Sequence, residues 1–203
     1  MKKFLVMAAV AFMAAMNVNA QSSVEDLKHE IGVTYGLGLS VFGDGIGYGI
    51  SNGIFDQLLN RKWVNQEDFG TLCLEYFYHL SNPRWAVGGI VGYSQCSEDV
   101  ENRDDGQIVG SRSRKYYTAM PSAKYYWVNK QYFGLYSKAA LGVSVMTDKE
   151  ELNNRSDSSS RLYMAWQVSA LCLEGGLPNA RLFVEFGAGE QGILWLGGIR
   201  AKF

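Results

Sequence analysis

The sequence predicts an all-β fold, an eight-stranded antiparallel up-and-down β-barrel, and three observations carry that prediction. Eight segments alternate apolar with polar or small residues, the period-two pattern of strands whose successive side chains point to opposite faces. The links between them run long, short, long, short, long, short and finally tight. The last segment, 192–203, ends on Phe203 and holds Ile193, Trp195, Gly197, Ile199, Ala201 and Phe203 on one face, against Leu194, Leu196, Gly198, Arg200 and Lys202 on the other. Such a strand buries one face in something apolar, a protein core or a lipid bilayer.

Ahead of the first strand, Lys2 and Lys3 precede an apolar run over 4–16, and Val18-Asn19-Ala20 supplies the small residues that signal peptidase requires. Residues 1–20 are therefore expected to be a secretory signal peptide cleaved after Ala20, and 21–203 a single barrel domain with no Pro- or Ser-rich linker. Beyond Ala20 no stretch approaches the roughly 20 apolar residues of a membrane-spanning helix, which excludes an α-helical membrane protein. Of the 19 basic residues, Lys2 and Lys3 leave with the leader, so 17 stand against 20 acidic ones, a formal charge of −3. No basic patch suits nucleic acid as a partner.

The first strand spans 31–41, where Ile31, Val33, Tyr35, Leu37, Leu39 and Val41 alternate with Gly32, Thr34, Gly36, Gly38 and Ser40. The second, 69–80, sets Leu72, Leu74, Tyr76, Tyr78 and Leu80 against Thr71, Cys73, Glu75, Phe77 and His79. After a turn at Ser81-Asn82-Pro83-Arg84, the third, 85–94, sets Trp85, Val87, Gly89, Val91 and Tyr93 against Ala86, Gly88, Ile90, Gly92 and Ser94. The fourth, 115–127, sets Tyr117, Ala119, Pro121, Ala123, Tyr125 and Trp127 against Tyr116, Thr118, Met120, Ser122, Lys124 and Tyr126. Proline cannot donate to a ladder, so a β-bulge is expected at Pro121.

In the fifth strand, 132–145, Phe133, Leu135, Ala139, Leu141, Val143 and Val145 oppose Gly134, Tyr136, Lys138, Ala140, Gly142 and Ser144. The sixth, 161–173, places Leu162, Met164, Trp166, Val168, Ala170 and Cys172 opposite Tyr163, Gln167 and Ser169, with a register that weakens past Ala170. In the seventh, 182–189, Leu182, Val184, Phe186 and Ala188 oppose Phe183, Glu185, Gly187 and Gly189. This register sets Cys73 and Cys172 on opposite faces and Cys96 in a loop, so the three cysteines are expected to be unpaired.

The long links fall at 42–68, 95–114 and 146–160. Short turns at one end, longer loops at the other and an even strand count make the pattern of a transmembrane β-barrel. Trp85, Trp127, Phe133, Tyr78 and Phe203 sit at the turn ends of their strands, where an interfacial aromatic girdle belongs.

The less apolar face pools Glu75, Lys124, Lys138, Glu185 and Arg200, with His79 and Lys202 near the rim. A soluble lipocalin-like barrel would bury the apolar face around a small apolar ligand and wet the charged one. A membrane barrel inverts this, and the long, aromatic-ended apolar stripes favour the inversion. At eight strands the interior is only wide enough for side chains, so a salt-bridged plug is expected rather than a pore. A closed sheet also leaves no backbone edge unpaired in lipid.

The leader, the strand and loop rhythm, the Asn82-Pro83-Arg84-Trp85 turn and the ending VEFGAGEQGILWLGGIRAKF with its terminal Phe203 resemble the eight-stranded outer-membrane β-barrel family that includes OmpX and the transmembrane domain of OmpA. The resemblance covers the whole mature chain and implies a cell outer-membrane location in a Gram-negative envelope. It implies that Trp195, Ile199 and Phe203 form the signal read by the barrel-assembly machinery, and that Glu75, Lys124, Lys138, Glu185 and Arg200 form a lumenal charge network. Outer-membrane lipids and lipopolysaccharide are the implied partners of a monomer with no cofactor, metal or catalytic residue. No peptidoglycan-binding domain of the OmpA kind follows the last strand, so cell-wall anchoring is not implied.

Other features read as structural. Gly43, Gly45, Gly47, Gly49 and Gly53 lack the Gly-Lys-Ser/Thr of a phosphate loop. Ile54, Leu58, Leu59 and Trp63 have helical spacing, as for a short helix over the barrel mouth or against lipid head groups. Glu98, Asp99, Glu101, Asp104 and Asp105, then Asp148, Glu150, Glu151 and Asp157, lack the ligand spacing of a calcium loop and read as solvated acidic loops. A lipid-modifying barrel enzyme would need a nucleophile beside a base, and His29 and His79 have no serine and acid assembled around them in sequence.

Overall fold

A computed structural model describes residues 27–38, 61–102, 108–152 and 155–203. The leader, the glycine-rich segment and Ile54, Leu58, Leu59, Asp104 and Asp105 lie outside the described residues. The strands are β1 His29–Gly36, β2 Arg61–His79, β3 Trp85–Asn102, β4 Ile108–Asn129, β5 Phe133–Leu152, β6 Arg155–Gly176, β7 Ala180–Gly189 and β8 Leu194–Lys202. Each is antiparallel to the next, and β8 returns to β1, from Glu30 opposite Lys202 to Gly36 opposite Leu196, closing an eight-stranded barrel. His29 and Phe203 exchange both backbone hydrogen bonds, each 2.8 Å, at the seam.

The alternating pattern decides which way the sheet curls. Residues of the glycine-, hydroxyl- and charge-bearing face point inward, and the aliphatic and aromatic face points out. The interior is not purely polar, because Phe77, Ile90, Met120, Tyr126 and Tyr136 are also buried there. Gly198 makes room for one of these rings: a Cβ on it would lie 2.7 Å from the Phe183 ring and 2.2 Å from the Val33 carbonyl oxygen.

Strands β2 to β6 run 18 to 22 residues, whereas β1, β7 and β8 have 8 to 10. Pairing of β1 with β2 stops at Gly36–Thr71, and that of β6 with β7 at Gln167–Gly189. Among the described residues the five long strands therefore continue as a sheet above the shorter β1, β7 and β8. Residues 95–102, 108–114, 146–152 and 155–160, expected in loops, are strand. Their charges are paired across the sheet, Arg112 with Asp148 and Arg114 with Glu98, so charge there does not mark a loop. Trp63, expected in a helix, likewise lies in β2.

Three further local expectations are corrected. Pro121 makes no bulge: β3–β4 pairing runs unbroken past Gly89–Pro121, and the β4–β5 register is the same either side of the unpaired Met120 and Pro121. The missing donor removes ladder bonds without inserting a residue, and the irregularity comes later, between Tyr126 and Val128. In β6 a bulge at Ala170, between Ser169 and Leu171 in the β7 register, turns Leu171 outward and Cys172 inward. Cys73 and Cys172 thus share the lumenal face and Cys96 lies in β3, and all three are buried free thiols. Leu194, assigned to the Arg200 face, is 75% exposed because its φ of 71° breaks the alternation at the start of β8.

Gly198→Val drives a branched side chain into Phe183 and the Val33 carbonyl. A destabilisation of about 1–3 kcal/mol is expected from such overpacking, read as a lower urea midpoint of the refolded barrel in detergent micelles.

Candidate functional site

The turn-end half of the lumen holds the densest cluster of charge. Glu30 enters from β1, Glu75 and His79 from β2, Lys124 from β4, Lys138 from β5, Glu174 from β6, Arg181 and Glu185 from β7, and Arg200 and Lys202 from β8. All are buried. Because each strand contributes inward residues two apart, a closed barrel brings carboxylates and cations far apart in sequence to a common axis.

Lys138 lies between two carboxylates, Nζ 2.8 Å from Glu75 and 2.5 Å from Glu185. Lys124 is 2.6 Å from Glu30 and 3.6 Å from Glu75. Arg200 spans the cluster, 2.6 Å from Glu174, 3.4 Å from Glu185, 3.5 Å from Glu30 and 3.9 Å from Glu75. Its guanidinium also stacks 3.6 Å over Phe183 and donates to the Tyr136 hydroxyl at 2.7 Å. Tyr136 in turn donates to Glu185 at 2.6 Å. Lys202 lies 2.9 Å from Glu174, and His79 Nε2 is 3.0 Å from Glu30. Gln191, from the β7–β8 turn, donates to Glu75 at 2.8 Å and covers the cluster from the loop side.

The sequence-selected Glu75, Lys124, Lys138, Glu185 and Arg200 are brought into contact here. Glu30, Glu174, Arg181 and Gln191 were missed, and Lys202 and His79, placed near the rim, are integral. Glu30 continues the Thr34, Gly32 alternation two residues further back, so extending β1 would have found it. Glu174 was hidden by the Ala170 bulge, yet it holds Arg181, Arg200 and Lys202 together. Arg181 continues inward parity back from Phe183, and its guanidinium donates to the carbonyl oxygens of Lys130 at 2.8 Å and Gln131 at 3.0 Å. It thereby ties the β4–β5 turn to β7 across the barrel end.

Of the terminal-strand residues, Trp195 points outward, Ile199 is half-buried opposite Val33 and Leu182, and Phe203 stacks on the His29 ring at 5.6 Å and 16°. The histidines have other partners: His29 Nδ1 meets the Tyr76 hydroxyl at 2.8 Å and His79 meets Glu30. Neither bond places a serine or cysteine nucleophile beside a base. Among the described residues no group of three or more His, Cys, Asp or Glu side chains is arranged to hold a metal. The arrangement is a buried charge cluster in which every carboxylate faces more than one cationic or hydroxyl donor.

No family model and no curated protein matches the chain. Among solved structures it is similar to Ail, the attachment invasion locus protein of Yersinia pestis, at 16% identity and TM-score 0.46, over 87% of this chain and 99% of that one. It is similar to the outer membrane protein OprG of Pseudomonas aeruginosa at 12% identity and TM-score 0.35, over 87% and 96%. The barrel assignment here follows from the chain's own closed ladder.

Removing one member of a buried charge cluster strands its partners. Glu174→Ala leaves Arg181, Arg200 and Lys202 short of a carboxylate, and a loss of about 3–5 kcal/mol is expected in detergent-micelle unfolding. Glu185→Ala is expected to destabilise in the same direction, through Lys138 and Arg200, whereas Glu98→Ala outside the cluster should cost less.

Proposed function

We propose that the protein is a small, monomeric outer-membrane β-barrel with a plugged, non-catalytic lumen, whose structural or surface-interaction role is carried by the loop end. The observation that carries this reading is the inversion of the barrel: the ions are inside, and a continuous apolar belt is exposed outside, with Leu162 at 69%, Leu182 at 67% and Leu141 at 58%. Water would not tolerate so large a contiguous patch; lipid requires it.

Two aromatic rows bound the belt. Tyr35, Phe69, Tyr93 and Tyr117 follow one another at ring separations of 6.3, 6.4 and 5.4 Å towards the loop end. Trp85, Tyr125 and Trp127, at 5.0 and 4.8 Å, with Tyr78, His29 and Phe203, mark the turn end. On β4 the rows are ten residues apart, Tyr117 to Trp127. At about 3.4 Å per residue and a tilt of about 40°, that is about 25 Å, the height of an outer-membrane apolar band.

In this reading the leader exports the chain, the short turns face the periplasm and the five-stranded extension faces outward. Trp195, Ile199 and Phe203 present the outward, aromatic-ended face that the barrel-assembly machinery reads, and outer-membrane lipids and lipopolysaccharide surround the belt. A lipocalin-like carrier is disfavoured because its ligand would have to displace the ionic plug. A lipid-modifying enzyme is disfavoured by the partners of His29 and His79.

The outer-membrane fraction, run on a gel with and without boiling in detergent, is expected to show a heat-dependent mobility shift; a soluble protein without a shift would sink the reading. In planar bilayers the refolded barrel should give no conductance steps. Truncation of Phe203 should lower the heat-modifiable fraction in cells while leaving refolding in detergent intact.

A further inference from the structure

Above the loop-end aromatic row, the outer face of the extension changes chemistry in tiers set by cross-strand register. The row itself, Tyr93, Tyr117, Val145 and Leu162, consists of directly opposed residues on β3 to β6. The next outward tier is Gln95, Lys115, Thr147 and Ser160, and the one above is Ser97, Ser113, Lys149 and Ser158. Asp99 and Glu151 appear only in the tier beyond, either side of Ser111. On β3 to β6 two lysines and a set of hydroxyls thus form a collar without an acid immediately above the apolar belt, and Glu67 of β2, opposite Ser97, bounds it on the side away from Lys149.

Lys115 opposes Thr147, and Lys149 lies two residues further along β5 on the same face, a diagonal pair with Cα atoms about 7–8 Å apart. The two ammonium groups therefore reach one anion between them. Both side chains stay outside the ion-pair network of the described residues, while Arg112 and Arg114 on the inner face are committed to Asp148 and Glu98. Gln95 adds a directed donor: the Tyr93 hydroxyl donates to its Oε1 at 2.8 Å, which turns the amide NH2 away from the aromatic row.

We infer that this collar, built on Lys115 and Lys149 with Gln95 and Thr147, is a docking site for the phosphorylated head group of a membrane lipid whose acyl chains lie along the belt below. The site rests on the membrane-barrel reading and deepens it. Its position decides the source of the phosphate: the lysines sit one and two tiers above Tyr117, at the depth of a head group, and the belt adjoins them directly below. Among the described residues β1, β7 and β8 have no strand at this height, so the site lies on the β3–β6 side.

The test uses the full chain in phosphatidylcholine nanodiscs doped with diphosphorylated lipid A or its dephosphorylated counterpart, in EDTA so that no divalent bridge substitutes for the lysines. Lipid retained after detergent release is counted by native mass spectrometry. Wild type should retain the phosphorylated lipid preferentially. The K115Q/K149Q double variant should lose about thirtyfold, at about one Boltzmann decade and a half for two lysines near a charged surface. K115R/K149R should restore retention. Equal retention by the glutamine variant, or equal retention of the dephosphorylated lipid, overturns the site while a heat-shifting barrel leaves the membrane reading standing. Competition by millimolar inorganic phosphate with no lipid preference would overturn the lipid as source. A soluble wild type with no heat shift overturns both.

Discussion

Everything in this barrel depends on matching charge inside a closed ring of hydrogen bonds. Four carboxylates, Glu30, Glu75, Glu174 and Glu185, and five cations, Lys124, Lys138, Arg181, Arg200 and Lys202, are buried in one cluster. An isolated ion in such a place would carry a desolvation penalty of several kcal/mol, so the cluster is tolerable only as a whole. The whole exists only when β8 meets β1. Opening that seam would separate Glu30 from Arg200 and Lys202, which lie on opposite sides of it. Ladder closure and ionic closure are therefore the same event, and partly closed sheets are penalised twice.

This coupling explains the composition of the two faces. A narrow lumen that must hold Arg200, Lys124 and Lys138 extended across it needs small neighbours, which is why inward positions such as Gly32, Gly134 and Gly198 carry no side chain. At Gly134 a Cβ would meet the Glu174 side chain at 2.7 Å. The rings inside are not packing alone: Phe183 lies under Arg200 and Phe77 under Lys124, at 3.6 and 3.7 Å, and a ring face helps to stabilise a cation removed from water. Around the closed half the outer face, relieved of polar duty, is free to be aliphatic and aromatic.

How much of this was legible follows from the same physics. Period-two alternation located all eight strands and assigned most inward residues, because an unbroken strand leaves no other choice of face. It failed where geometry interrupts the count. The Ala170 bulge inverted Cys172 and concealed Glu174, and the positive φ at Leu194 did the same at the start of β8. Neither has a compositional marker, since alanine and leucine are ordinary strand residues, whereas Pro121, which does look like a marker, left the register untouched. The loop-end halves of β3 to β6 were misread for a different reason. Charged residues suggest solvent, but Arg112 opposite Glu150 and Arg114 opposite Asp148 are cross-strand neighbours, and paired charge stabilises a sheet as well as it solvates a loop.

The two halves of the molecule are held by different constraints. In the closed half an inward side chain touches residues from across the ring, as Arg200 does with Glu30, Glu75, Glu174 and Glu185, so few substitutions are compatible with its neighbours. In the extension, the ladder contacts among the described residues run between adjacent strands, and among those residues β2 and β6 are its outer strands. Along β6 the edge beyond Gln167 carries exposed Ser158, Ser159, Ser160 and Arg161, polar residues of the kind that keep an open edge from pairing with another chain. A surface under pairwise constraint alone can change its chemistry tier by tier without disturbing closure. In the proposed reading, specificity therefore belongs to the extension, and the lumen holds the barrel shut.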